Sequence, residues 1–203
     1  MWPQADLARL APMLQRAPRT ELEIGSGNGN FLAAHSATHR DTLVIGTELK
    51  LERCRKSARK LAAAGAGNGV IVHGRAEQVI GWLPAQSLDA VHIYFPDPWP
   101  KRRHRKRRLL RADTVARLTR LLRLGGRLHL VTDFFDYYLQ AVVLLLLHPD
   151  LEVDRDPALL PDAATLSRYG PRLEALGKSL LCATARRHDA VHRHDAVHGN
   201  TGG

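Results

Sequence analysis

Asp97 lies in the segment Tyr94-Phe95-Pro96-Asp97-Pro98-Trp99-Pro100, a carboxylate on a proline-stiffened turn beside an indole ring. The flanking prolines limit backbone freedom, so this carboxylate is held in a defined position. The next eight residues, Lys101-Arg102-Arg103-His104-Arg105-Lys106-Arg107-Arg108, carry seven Lys or Arg side chains. A placed carboxylate, an aromatic face and dense positive charge suit the holding of one base of a polyanion over a reactive centre. Trp99 serves either as a stacking platform or as packing, and its type supports both. Charge runs are usually solvated faces. Because this one abuts the Asp97 loop, contact of Arg102, Arg103, Arg105, Lys106, Arg107 and Arg108 with RNA phosphates is the favoured reading. In a helix, Lys101, Arg105 and Arg108 would share one side.

A second constellation is Glu23-Ile24-Gly25-Ser26-Gly27-Asn28-Gly29, with a further acid at Glu48. Gly25, Gly27 and Gly29 allow a tight turn and close approach of a ligand to the backbone, and the helix that follows offers free N–H groups. Position 30 is Asn, so the dinucleotide spacing G-x-G-x-x-G is not met. Glu23 would repel a pyrophosphate and attract a cation. Glu48, ending the next strand, suits both ribose hydroxyls of an adenosine. Together these favour S-adenosyl-L-methionine, which carries an ammonium and a sulfonium and no phosphate, over a nicotinamide dinucleotide.

Strands are expected at Leu22–Ile24, Leu43–Gly46, Val70–His73, Leu88–Tyr94 and Arg127–Thr132. Helical patterns are expected around Phe31–His35, over Leu51–Ala64, over Arg107–Leu122 with a stop at Gly125-Gly126, and over Tyr137–Leu147. This alternation predicts an α/β, Rossmann-like, mostly parallel sheet with helices on both faces. Leu151–Val153 and Leu180–Ala185 are candidates for an antiparallel edge, giving seven strands. Ligands then bind beyond the carboxyl ends of the strands, where both constellations fall.

The 203 residues suit one domain, read as 1–185. From Arg186 the chain repeats His188-Asp189-Ala190-Val191-His192 as His194-Asp195-Ala196-Val197-His198 and reads as a disordered His-rich tail, 186–203, in preference to a metal site. No metal ligand set is expected. Net charge is +10. The basic run holds seven of 30 basic residues, leaving 23 elsewhere against 20 acids, so the excess is local. Cys54 and Cys182 lack metal-site spacing, and no disulfide framework or signal peptide is indicated, which suits the cytoplasm. Ala141–Leu147 is too short to span a membrane.

Taken in order, Leu22-Glu23-Ile24-Gly25-x-Gly27-x-Gly29, Glu48, Phe95-Pro96-Asp97-Pro98-Trp99-Pro100-Lys101, Arg107-Arg108-Leu109 and Thr132-Asp133 resemble the bacterial tRNA (guanine-N7)-methyltransferases over roughly residues 20–180. The resemblance implies a class I methyltransferase fold, S-adenosyl-L-methionine as cofactor and transfer to N7 of a variable-loop guanine of tRNA. Neither membrane nor DNA is an expected partner, and the chain is a monomer or homodimer. By the same resemblance Glu23, Glu48 and Asp97 sit at the donor, Asp97 is the catalytic candidate, and Lys101 and Asp133 contact the substrate. An ordinary strand-end turn residue is the less favoured alternative for Asp133.

Three departures stand out. Where the family has an acid or amide after the third strand, this chain has Arg75 and Ala76. Its late Thr-x-x-Glu motif aligns with Ser167-Arg168-Tyr169-Gly170. The basic segment before the first strand is nearly absent. A methyltransferase with another acceptor, a non-catalytic RNA-binding relative and, last, a dinucleotide oxidoreductase are the competing readings.

Overall fold

The computed structural model describes residues 2–154 and 180–189. Among the described residues eight strands form one sheet: β1 Trp2–Pro3, β2 Arg19–Ile24, β3 Thr42–Glu48, β4 Gly69–His73, β5 Leu88–Tyr94, β6 Leu122–Thr132, β7 Leu151–Asp154 and β8 Leu181–Arg187. Their spatial order is β1-β4-β3-β2-β5-β6-β8-β7. Pairs from β1 to β6 are parallel, and β8 runs antiparallel between β6 and β7. The seven expected strands are thus present, with the two-residue β1 added at one margin. β8 continues through Arg187, two residues past the expected end of the domain. Of the His repeat, only His188 and Asp189 fall within the described residues.

The α-helices among the described residues are α1 Ala11–Arg16, α2 Asn30–Thr38, α3 Leu51–Ala63, α4 Ala76–Trp82, α5 Ala112–Leu121 and α6 Phe135–Leu147. Strands buried on both faces must be apolar on both, and β3 is buried at all seven positions. On one face Leu22, Ile24, Leu43, Ile45, Val91, Ile93, Leu128 and Leu130 join Val79, Val115, Leu118 and Tyr137. On the other, Val44 and Ile71 meet Leu32, Cys54 and Leu61 from α2 and α3.

β2 pairs with β3 on one side and β5 on the other, so the chain reverses its direction of growth there. That switch point opens a crevice beyond the ends of β2 and β5.

Two local expectations are corrected. The helix expected over 107–122 begins only at Ala112, because Arg102–Arg107 wind as a separate 3-10 turn and Arg108 and Leu110 are buried. Gly125 and Gly126 do not stop a helix: β6 already begins at Leu122, and its register to β5 shifts around them. The α4 helix, seven residues long, gave no periodic signal; the Arg75 N–H that precedes it donates to Gln78 Oε1 at 3.1 Å.

Candidate active site

At the switch point a cavity of about 500 Å³ is lined by Gly25, Thr47, Glu48, Lys50, Arg53, Arg75, Ala76, Tyr94, Asp97, Trp99 and Arg107, among others. The ends of β2, β3 and β4 and the start of α4 supply one wall. The loop after β5 supplies the other.

The glycine loop is built for close approach. Gly25, Gly27 and Gly29 have φ of 79°, 55° and 71°, the left-handed region that glycine enters without penalty. A Cβ on Gly29 would stand 2.5 Å from Ser57 Cβ, so glycine lets α3 pack directly on the loop. Gly25, by contrast, faces open space on the cavity side.

The loop's donors are largely spent within the protein. Gly25 N–H donates weakly to Thr47 Oγ1 at 3.4 Å, Ser26 N–H to Thr47 O at 2.8 Å, Gly27 N–H to Glu48 Oε2 at 3.0 Å and Gly29 N–H to Ser26 O at 2.8 Å. The loop's own N–H groups therefore form no phosphate cradle, which fits a donor that carries no phosphate.

Glu48 is 7% exposed; its Oε1 accepts from Lys50 N–H at 2.8 Å, and Arg53 stands 3.8 Å from its Oε2. It ties the loop to β3 while lining the cavity. Glu23 lies behind the loop, 3% exposed, and its Oε2 has no hydrogen-bond partner. Burial pushes its carboxyl up to about 7; Ser26 pulls the other way and the Glu48 charge adds to the rise. A buried, unpartnered carboxylate oxygen costs free energy until a donor reaches it. The ammonium of S-adenosylmethionine is such a donor, so these residues fit that cofactor.

The Asp97 loop is strained and anchored. Phe95 and Trp99, neither of them glycine, adopt φ of 50° and 43° on either side of Pro96-Asp97-Pro98. Such conformations cost about 1–3 kcal/mol each and persist only where surrounding contacts impose them. Phe95 N–H donates to Val131 O at 2.8 Å. Arg108 donates from Nε to Pro98 O at 2.8 Å, and its other nitrogens reach Gln140 Oε1 at 2.6 Å and Asp136 Oδ2 at 2.5 Å. Asp97 itself is exposed at the cavity wall.

Arg108 corrects a sequence expectation. Its side chain is fully buried and its donors are engaged inside the fold, so it does not reach a phosphate. Arg105 pairs with Asp136 at 2.7 Å from an exposed position. Lys101, Arg102, Arg103, Lys106 and Arg107 are exposed as expected. Arg107 also places its guanidinium 4.9 Å from the centroid of the Trp99 ring. Trp99 thus has one face covered by a cation while bordering the cavity, combining the packing and ligand-facing roles.

Of the expected cofactor residues, Gly25, Glu48, Arg75, Ala76 and Asp97 line the cavity, while Glu23, Gly27 and Gly29 lie outside its lining. Lys101 and Asp133 are exposed and outside its lining. Ser167, Arg168, Tyr169 and Gly170 lie outside the described residues. Sequence reasoning missed Lys50, Arg53 and Tyr94. The only available signal for the first two was a pair of cations just after Glu48.

The parallel sheet, the switch-point cavity, the glycine loop and its paired acids define a class I S-adenosylmethionine-dependent methyltransferase. A methyltransferase family model, Methyltransf_4, matches residues 18–183. The chain is 39% identical to a tRNA (guanine-N(7)-)-methyltransferase of Acidithiobacillus ferrooxidans, over 82% of this chain and 74% of that protein. It is 35% identical to one of Thiobacillus denitrificans, over 91% of this chain and 82% of that protein. The chain belongs to the tRNA (guanine-N7)-methyltransferase family. Its alignment to a member from Caulobacter vibrioides spans only 55% of that protein's length. Among solved structures, a 30S ribosomal A1408 methyltransferase from an uncultured bacterium superposes with a TM-score of 0.63 at 14% identity, over 89% of this chain and 93% of that one, a likeness of fold alone.

Proposed function

We infer that this chain transfers the methyl group of S-adenosyl-L-methionine to N7 of a guanine in tRNA, with a variable-loop guanine as the acceptor. One observation carries the reading: Asp97 stands at the donor cavity on a strained, Arg108-anchored loop, and an exposed basic turn begins five residues later. The catalytic domain runs to the end of β8 at Arg187 and acts in the cytoplasm on tRNA, as a monomer or homodimer. Among the described residues no helix is long and apolar enough to cross a membrane.

S-adenosylmethionine supplies an electrophilic methyl group on a sulfonium. Glu23 holds its ammonium, Glu48 its ribose hydroxyls, and Gly25, Gly27 and Gly29 shape the floor. Arg75 and Ala76 border the adenine side. Guanine N7 has a free lone pair and needs no deprotonation, so the protein's task is placement. Positioning alone contributes on the order of 7–11 kcal/mol. As N7 is methylated the base becomes cationic, and its N1–H and amino hydrogens grow more acidic. Asp97 and Asp133 accept those hydrogens and stabilise the developing charge. Lys101 joins them on the substrate, with Ser167, Arg168, Tyr169 and Gly170 at the place of the family's late substrate motif. Arg102, Arg103, Arg105, Lys106 and Arg107 hold the RNA backbone.

The test is methyl transfer from labelled S-adenosylmethionine to unmodified tRNA, followed by borohydride reduction and aniline cleavage. Cleavage at one variable-loop guanine is expected, and Asp97→Ala should abolish it while leaving the thermal midpoint unchanged. Wild-type turnover in Asp97→Ala, or label at another atom, refutes the assignment.

A further inference from the structure

On the face of the sheet beneath α2, the central strands turn polar side chains inward. Where the opposite face carries Leu22, Val91 and Leu128, this one carries Glu21 and Glu23 from β2, His92 and Tyr94 from β5 and His129 from β6. Glu23 and Tyr94 adjoin the donor site. Glu21, His92 and His129 lie deeper, and the methyl transfer makes no use of them.

Glu21 Oε2 stands 2.7 Å from Nε2 of His92 and 2.7 Å from Nε2 of His35, which descends from α2. These ligand-type atoms all lie within 4.8 Å of one another. We propose that Glu21, His35 and His92 bind a single divalent transition-metal ion of the zinc class.

The donor set is chemically apt. Two imidazoles and one carboxylate, each from a different element, form a three-ligand set that leaves a fourth position for water. The present contacts are hydrogen-bond lengths. Ligands about 2.0–2.2 Å from a tetrahedral ion stand roughly 3.3 Å apart, so binding requires Glu21 Oε2 to draw back from each imidazole by about half an ångström.

The surroundings favour a cation. The Glu21 and His92 side chains are 6% and 7% exposed. Among the described residues, the Lys or Arg group within ion-pair reach of Glu21 is Arg19, at 3.9 Å from Oε1 and on a largely exposed side chain. A buried carboxylate set among imidazoles, with so distant a cation, is stabilised by an ion brought between them.

Neighbouring groups also hold the rings. His92 Nδ1 is 2.8 Å from the Tyr94 hydroxyl, the outer-shell contact that orients a metal-ligating imidazole. His129 stacks on His92 with centroids 5.2 Å apart, and His39 stacks on His35 at 4.0 Å. His35 retains 17% side-chain exposure and gives an ion its way in. Because α2 follows the glycine loop directly, the ion would pin that helix to β2 and β5.

The full-length protein, stripped with EDTA, is titrated with Zn²⁺ by calorimetry and with Co²⁺ by visible absorption. A variant with His188, His192, His194 and His198 all changed to Gln removes tail sites from the count. One equivalent retained in this variant, with a tetrahedral Co²⁺ spectrum, is the expected result. Adding His35→Gln, on the rim of the cluster, should weaken binding by more than the roughly 10–100-fold typical of losing an outer-shell partner, and Tyr94→Phe by an amount within that range. Circular dichroism confirms that each variant folds. Absence of stoichiometric binding in the tail variant, or binding that His35→Gln leaves unchanged, overturns the proposal.

Discussion

Replacing Arg108 by Met separates an anchor of the Asp97 loop from a contact to RNA. The guanidinium is buried and donates to Pro98 O and Gln140 Oε1 at 2.8 Å and 2.6 Å. Hydrogen bonds from a charged donor contribute about 1.5–3 kcal/mol each. Gln140 keeps a second bond, from Nε2 to Leu110 O at 3.1 Å, and Met fills much of the vacated volume. The Asp136 contact is not counted, because that carboxylate faces solvent and keeps Arg105. A loss of about 3 kcal/mol results. At roughly 2–4 °C per kcal/mol for a chain of this size, the thermal midpoint falls by about 6–12 °C.

Activity falls further than stability implies, because Pro98 adjoins Asp97. Misplacement by about 1 Å costs on the order of 100-fold in rate. Differential scanning fluorimetry, methyl-transfer kinetics and tRNA binding from low to high salt are measured on the same preparation. The dependence of tRNA affinity on salt should match the wild type. A near-normal midpoint combined with a salt slope smaller by about one would mean that Arg108 holds a phosphate, and the anchoring argument would fail.

Changing Lys101, Arg102 and Arg103 together to Ala should weaken tRNA binding and lower the salt slope by roughly 0.7–0.9 for each phosphate no longer neutralised; an unchanged slope would place the RNA elsewhere. Gly29→Ala forces a Cβ to 2.5 Å from Ser57 Cβ at a φ of 71°, so donor binding and stability should both drop, whereas Gly25→Ala meets no protein atom within 4 Å and loses in stability only the backbone penalty of about 1–2 kcal/mol. The pH dependence of donor affinity follows from Glu23, whose folded pKa of about 7 lies above the ordinary 4.5. Its neutral form is favoured in the free protein, so folding stability from this group declines as pH rises from about 4.5 towards 7. A cationic donor needs the ionised form, and affinity should therefore climb between pH 6 and 8 in calorimetry. The neighbours that share this site, Glu48 and Tyr94, are unchanged in Glu23→Gln, which should flatten the climb; a Glu23→Gln profile identical to wild type would assign the titration to another group.

Much of the fold was readable in the chain because its signals are local. Strands such as Leu43–Gly46 and Val70–His73 announce themselves by short apolar runs, and the glycine loop by residue types that a left-handed turn requires. The motif acids Glu23, Glu48 and Asp97 were identifiable for the same reason: each sits beside its own punctuation, a glycine run, a strand end or a pair of prolines.

Tertiary structure decided what those side chains do. Arg108 is indistinguishable by type from its basic neighbours; only the packing of α6 against the loop buries it and turns it into an anchor. Trp99 was undecided until Arg107 was seen over its ring at the cavity wall. Glu21, His35 and His92 are 14 to 71 residues apart and form no motif. Side-chain alternation turns Glu21 and His92 to the same face of the sheet, and α2 lowers His35 onto them. Composition and spacing determined which chemistry this chain can carry, whereas the pairing of distant strands determined which groups meet, because burial and partner distance are properties of the folded sheet.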